Sequence, residues 1–141
     1  MVPPSQSEAV LTVIMANPVG PEGEAKRSAI AEAAGAAGWL AGFPDFDEND
    51  VSIETFIAPF RSARHILADL TGERPSCYFE LGLVEALNLS ITACAATGTH
   101  IHQSSHSRRV RFYPDLAELK RIVTDVCVLH SHSIVPGGFE V

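Results

Sequence analysis

Short apolar runs alternate along this chain with longer segments in which apolar residues recur at helical spacing. The near-continuous runs 10–16 (VLTVIMA) and 65–70 (HILADL) are typical of strands that are covered on both faces, as in a parallel sheet. Between them, the segment 24–37 places apolar residues at i, i+3, i+4 and i+7, which indicates an amphipathic helix. The pattern therefore predicts strands that alternate with helices.

The same interpretation extends over the whole chain and predicts an α/β fold. The predicted strands are 10–16, 39–43, 65–70, 89–96 and 109–113, and the predicted helices are 24–37, about 51–62, 75–87 and one that begins after Asp115. Helices separate the first four strands, so we expect a mostly parallel sheet. The expected architecture is a flavodoxin-like, doubly wound domain with five strands and helices on both faces. It spans residues 9–130, between a flexible lead at 1–8 and a tail at 131–141.

Composition and charge limit the classes of binding partner that we expect for this chain. The 141 residues suit one domain, and ten basic against seventeen acidic side chains give a net charge of -7. Because binding to a phosphate backbone or an anionic bilayer needs a basic face, we expect neither duplex nucleic acid nor a membrane as partner. The N-terminus lacks the features of a signal peptide, and three cysteines do not make a disulfide framework. We therefore expect a cytoplasmic protein.

In doubly wound folds, ligands bind outside the carboxyl ends of the strands, where the strand order reverses. The candidate binding residues in the loops at that edge are Met15, Ala16, Asn17, Asp45, Thr71 and Gly72. The loop 17–23 leads into a helix N-terminus that could hold a phosphate with help from Arg27, but Glu22 and Glu24 would repel an anion. A phosphate contact and a simple loop both remain open. Phe43, at the end of the second strand, either stacks on a nucleobase or belongs to the core.

Two carboxylates are the strongest candidates for chemistry. Asp69 ends a buried strand, where an unpaired carboxylate would be costly. Glu80 follows in the first turns of the next helix, whose N-terminus favours a negative charge, so Glu80 should stay ionised. Gly82 lets a ligand come close to it. Such a pair suits glycosyl chemistry, since one carboxylate can act at the anomeric carbon while the other orients the sugar or handles a proton. In the structural alternative, Asp69 caps turn amides and Glu80 is a surface residue.

The segment 68–82 (ADLTGERPSCYFELG) carries a family resemblance. It resembles the signature of the TIR-like and nucleoside 2-deoxyribosyltransferase-like superfamily, which is close to A-D-L-T-x-x-(R or N)-P-N-x-x-(Y or F)-E-(L or V)-G. Together with the first strand and the later Arg-Phe-Tyr-Pro-Asp-Leu, the likeness spans nearly the whole chain. The resemblance implies a flavodoxin-like fold and cleavage of an N-glycosidic bond.

The resemblance also implies roles for individual residues. Glu80 matches the glutamate that takes the sugar in deoxyribosyltransferases and engages the ribose of NAD in TIR domains, and Asp69 matches the strand-end aspartate of the former group. Ser76 stands where the pattern has Asn, and its hydroxyl has a shorter reach than an amide. The implied ligand is a nucleoside, nucleotide or NAD-like molecule, bound without a metal or external cofactor by a homodimer or larger assembly. The alternatives are a non-catalytic TIR-like module that senses nucleotides or binds proteins, and an NAD glycohydrolase in antiviral defence.

Histidines are the remaining candidates for a metal site. His100, His102 and His106 share one loop, with spacings that can bind zinc. No Cys pair, Asp or Glu lies inside the loop, so a solvated polar loop is the favoured interpretation. The resemblance implies that this segment lies near the ligand mouth or at a subunit contact, so one of these histidines could touch a substrate.

Overall fold

The computed structural model describes residues 9–44, 52–102 and 109–131. The predicted lead at 1–8, Asp45 with most of its acidic loop, His106, and the predicted tail beyond Ser131 lie outside the described residues. Within those three ranges, no helix is both long enough and apolar enough to cross a bilayer.

The described residues form nine elements in the order that the sequence predicts. They are β1 (Ala9–Met15), α1 (Gly20–Ala36), β2 (Trp39–Gly42), α2 (Ile53–Arg61), β3 (His65–Asp69), α3 (Pro75–Ala86), β4 (Ile91–Ala96), β5 (Val110–Tyr113) and α4 (Leu116–His130). The strands form one sheet in the order β2-β1-β3-β4-β5, and every neighbouring pair is parallel. The predicted flavodoxin-like, doubly wound fold is confirmed.

The strand order reverses at β1, which lies between β2 and β3. Met15 pairs with Asp69 at the last position of the ladder between β1 and β3, so the carboxyl ends of these two strands lie side by side. The backbone N–H of Ala16 donates to the carbonyl of Asp69 at 2.9 Å and extends this contact beyond the strands. At the switch point of the fold, the chain after β1 is therefore hydrogen-bonded to the end of β3.

The two faces of the sheet carry separate apolar cores. One core joins α1 and α4 to the sheet, with Ile30 and Leu119 packed near Leu11 and Leu67. The other core joins α2 and α3 to the opposite face and includes Phe60 and Leu81. Because successive strand residues point to opposite faces, neighbours such as Leu67 and Ala68 belong to different cores.

Helix α1 begins four residues earlier than the sequence pattern indicated. Gly20 and Pro21, which were interpreted as loop residues, form its first turn. Proline is compatible with that turn because the first N–H groups of a helix have no partner inside the helix. The loop after β1 is consequently short, and it lies against the helix: a Cβ on Gly23 would be 2.2 Å from the carbonyl oxygen of Pro18. Only glycine permits this approach.

Candidate functional site

A cavity of about 390 Å³ opens at the carboxyl end of β1, a size typical of small-molecule sites. It lies between the start of α1 and the start of α3, at the switch point where doubly wound folds bind their ligands. Its lining residues are Val13, Ile14, Met15, Pro18, Val19, Arg27, Phe43, Pro44, Phe60, Arg74, Ser76 and Glu80.

The charges of this cavity differ from those of the chain. Among the described lining residues, Arg27 and Arg74 are positively charged and Glu80 is negatively charged, whereas the whole chain carries a net charge of -7. The exposed Glu22 and Glu24 are not among these lining residues. The described part of the lining therefore holds more positive than negative charge.

Two helix N-termini strengthen this positive character. The N-cap residues are Val19 for α1 and Arg74 for α3, and neither side chain accepts a hydrogen bond from its helix. Both residues line the cavity. Uncapped N–H groups carry the positive end of the helix dipole, which favours an anion beside them.

Arg27 is held in place by the loop that it faces. Its guanidinium donates a hydrogen bond to the carbonyl of Pro18 at 3.1 Å. The close approach of Pro18 to Gly23 brings this carbonyl within reach. The short loop after β1 thus positions one of the two cations of the cavity.

Glu80 is the carboxylate of the cavity. It is the sixth residue of α3, and its side chain is half-buried. Burial raises the pKa of Glu80 above its usual value, and the positive charge of Arg74 offsets part of this increase. The net direction is opposite to the effect expected of the helix N-terminus, since the dipole acts mainly within the first turn.

Asp69 is almost completely buried, and protein groups occupy its carboxylate. Thr71 donates its hydroxyl at 2.7 Å and its backbone N–H at 3.3 Å, and the Tyr113 hydroxyl lies 3.1 Å from both carboxylate oxygens. The ammonium of Lys26 lies 3.4 Å away. Asp69 is not among the residues that line the cavity. These contacts join β3 to α1 and β5 directly behind the site.

The predicted site residues therefore separate into two groups. Met15, Ser76 and Glu80 meet in the cavity, whereas six others lie outside its lining: Ala16, Asn17, Asp69, Thr71, Gly72 and Gly82. Asp45 lies outside the described residues. Contact of any of them with a substrate stays a prediction.

Thr71, Gly72 and Asn17 make local contacts that hold them outside the lining. The Thr71 hydroxyl donates to Asp69 and accepts from the Ala96 N–H at 2.8 Å. Gly72 has a positive φ of 70°, and a Cβ there would come within 3.3 Å of the Asn17 side chain. These contacts fasten the turn after β3 to the ends of β1 and β4. They shape the edge on which the cavity lies.

Sequence reasoning missed two contributors to the cavity. Phe60, which falls in the predicted helix 51–62, is buried in the core and also lines the cavity. Arg74 was noted only as part of the motif. Its position directly before a Pro that begins a helix at the carboxyl edge of the sheet was the signal that could have identified it. Phe43, left open between stacking and core, lines the cavity and also packs against the core of α1 and α4.

The histidine loop contacts α3. The Nδ1 atom of His102 lies 2.6 Å from the Glu73 carboxylate, and the His100 ring is 4.2 Å from that of His102. Among the residues that the structure describes, no three His, Cys, Asp or Glu side chains are grouped as metal ligands.

Comparison with known proteins adds no relative. No protein-family model matches the chain, and no curated protein matches it. The geometry of the cavity and its charges therefore carry the functional argument.

Proposed function

We propose that this protein cleaves or transfers the N-glycosidic bond of a nucleoside, nucleotide or NAD-like substrate, with Glu80 acting at the anomeric carbon of the sugar. The observation that carries this proposal is the position of Glu80, which is half-buried and lines a cavity of suitable size that Arg27 and Arg74 also line. The resemblance of the segment 68–82 to deoxyribosyltransferases and TIR domains supports the same chemistry.

The reaction needs a carboxylate with little hydration beside C1′ of the sugar. The Glu80 carboxylate forms a bond to C1′, or stabilises positive charge there, while the C1′–N bond breaks. The bonding electron pair leaves with the base; a purine or pyrimidine then takes a proton from solvent, whereas nicotinamide leaves neutral. Water or a second base then attacks C1′ and loses its proton to solvent, and any bond between C1′ and Glu80 breaks to return the carboxylate. Partial burial of Glu80 suits this role because it reduces competing hydration of the carboxylate.

The rest of the cavity suits a phosphorylated substrate. Arg27, Arg74 and the two helix N-termini favour a phosphate, since a guanidinium donates paired hydrogen bonds to phosphate oxygens. Phe43 and Phe60 supply an apolar wall that suits a base or the face of a sugar. We therefore favour a nucleotide over an unphosphorylated nucleoside.

Asp69 enters this proposal as a positioning residue. It holds the N–H and hydroxyl of Thr71, which precedes the turn that carries Arg74 to the cavity. Its engagement by Lys26 and Tyr113 also favours a second candidate function. In that candidate, the cavity binds a nucleotide without turnover and the protein acts as a TIR-like sensing module.

The assembly belongs to the same proposal. Ile53 and Phe79 are 56% and 62% exposed, and the Phe79 ring lies 5.7 Å from that of Phe56. This apolar surface of α2 and α3 fits the homodimer that the resemblance implies, and sedimentation of the protein measures whether it forms. The free thiols of Cys77, Cys94 and Cys127 suit the proposed cytoplasmic location.

The decisive experiment measures free base by chromatography after incubation with deoxynucleosides, their 5′-monophosphates and NAD. We expect base from at least one substrate, and a loss on the order of 10³-fold with Glu80→Gln. Glu85→Gln is the matched control, because Glu85 is exposed further along the same helix. Equal release by the wild type and Glu80→Gln would refute the mechanism. Nucleotide binding without any release would favour the sensing module.

A further inference from the structure

The neighbouring residues Glu73 and Arg74 carry opposite charges but face different partners. The Glu73 carboxylate accepts hydrogen bonds from the backbone N–H of His102 at 2.9 Å, from Nδ1 of His102 at 2.6 Å and from the hydroxyl of Tyr78. These donors hold the pKa of Glu73 at about 2. The Glu73 carboxylate is therefore hydrogen-bonded to the segment after β4 and to the first turns of α3.

Arg74 differs from Glu73 in its partners. Across the ranges 9–44, 52–102 and 109–131, no carboxylate lies within ion-pair distance of its guanidinium. Arg74 is exposed and lines the Glu80 cavity. It also lines a second hollow of about 260 Å³, together with Glu73, Pro75, Tyr78 and His102. Arg74 thus separates the Glu80 cavity from the contacts of Glu73.

The arrangement has a consequence for the charge of the site. An acid and a base that are adjacent in an exposed turn can form an ion pair with each other, and such a pair would neutralise Arg74. The three hydrogen bonds to Glu73 oppose that pairing because they would have to break first. The positive charge of Arg74 in the cavity consequently depends on where the Glu73 carboxylate is held.

We propose that Glu73 is a specificity-determining residue: His102 and Tyr78 hold its carboxylate away from Arg74, and this leaves the Arg74 guanidinium for an anionic group of the substrate. The inference rests on the proposed function for the identity of the cavity. It adds a reason why Arg74 forms no ion pair with the described carboxylates of an acidic chain. The segment after β4 then acts on substrate choice through Glu73, without touching the substrate itself.

The test measures binding with the full-length chain, by calorimetry with inorganic phosphate, a nucleoside 5′-monophosphate and the matching nucleoside. The double variant Tyr78→Phe/His102→Ala removes two of the three donors and releases Glu73. We expect it to weaken binding of phosphate and of the monophosphate about fivefold, the size of an exposed ion pair, and to leave nucleoside binding unchanged.

Recovery of phosphate affinity in a triple variant distinguishes the proposed role of Glu73 from a general structural effect of the double variant. Adding Glu73→Gln to the double variant removes the competing charge, so we expect phosphate affinity to return to within about twofold of the wild type. A general loosening of the loop would not be reversed by a further substitution. His100→Ala is the matched control, because the His100 ring lies beside that of His102, tilted by 49°, while the described hydrogen bonds of Glu73 come from His102 and Tyr78. Melting temperatures establish that each variant is folded.

Two outcomes with the variants overturn the inference, and a third with the wild type does so as well. The first is wild-type phosphate affinity in the double variant, and the second is weakened affinity that Glu73→Gln does not restore. Wild-type protein that releases base from nucleosides but does not bind phosphate would also refute this inference while leaving the proposed function intact. Conversely, the same binding pattern in the Glu80→Gln background would support the inference even if no base is released.

Discussion

The ammonium of Lys26 lies 3.4 Å from a carboxylate oxygen of Asp69, although the Asp69 side chain is only 2% exposed. The same ammonium lies 5.7 Å from the centre of the Tyr113 ring, and the Tyr113 hydroxyl donates to Asp69. A buried carboxylate needs such partners because it has lost its hydration. Lys26 therefore couples α1 to the carboxyl edge of the sheet.

Substitution of Lys26 should lower the free energy of unfolding substantially. Lys26→Met leaves a buried carboxylate without its cation, and we expect the free energy of unfolding to fall by about 3 kcal/mol in urea titrations. Lys120→Met is the matched control: Lys120 pairs with Glu32 at the surface, where a salt bridge contributes at most about 1 kcal/mol. Equal losses in the two variants would show that the Lys26–Asp69 pair is not a buried ion pair in solution.

Because the Pro18 carbonyl lies against α1, position 23 has no room for a Cβ. In Gly23→Ala the new Cβ would overlap the Pro18 carbonyl, and we expect a loss of about 1–3 kcal/mol in unfolding free energy. Gly35→Ala, in the same helix, meets no atom within 4 Å and should instead stabilise the protein by about 0.5–1 kcal/mol. Both values are measurable by urea unfolding. An unchanged free energy of unfolding in Gly23→Ala would contradict the observed position of the loop after β1.

Acid should destabilise the fold through His65. Burial, with a smaller effect of His130, lowers the pKa of His65 from 6.5 to about 4, and its ring nitrogens bond Ser90 and Thr92. The unfolded chain therefore takes up a proton as the pH falls below about 6.5, while the folded chain does so only near pH 4. Stability is lost over that window as the pH falls, by about 2 kcal/mol between about pH 7 and about pH 5.

The variant His65→Asn cannot titrate and isolates this contribution. We expect it to be less stable than the wild type near neutral pH, because it loses buried contacts, but to show a flatter dependence of unfolding free energy on pH. His100→Asn, at an exposed position, should keep the wild-type dependence. An unchanged slope in His65→Asn would assign the acid sensitivity to other groups.

The pH dependence of base release should report Glu80. Its reactive form is the carboxylate, and burial raises its pKa above the ordinary 4.5, so the acid limb of kcat/KM should lie above that pH. Arg74→Gln removes the cation that lowers this pKa and should move the limb to higher pH. Arg74→Lys keeps the charge and should leave it nearly in place. An acid limb at the same pH in the wild type, Arg74→Gln and Arg74→Lys would show that Arg74 does not affect the pKa of Glu80.

Much of the architecture follows from local pattern. The apolar runs and the helical spacing between them predicted the strands, the helices and the parallel sheet, because these periods depend on neighbouring residues alone. The element ends were less predictable. Pro21 and Gly20 form the start of α1 since a first turn tolerates residues that punctuate the chain elsewhere. The pattern also placed Glu80 and Ser76 on the helix after the third strand, which lies at the cavity.

Tertiary structure alone decided which of these residues share a cavity. All five residues of β3 are buried, so no polar alternation in the sequence marks the face to which Asp69 points. Its partners Lys26 and Tyr113 come from other elements. Arg27 lines the same cavity as Arg74 and Glu80 because the order of the strands brings the start of α1 beside the start of α3. Periodicity along a chain specifies which segments become strands and helices. The pairing of distant segments depends on how the sheet is wound, and that determines the composition of the site.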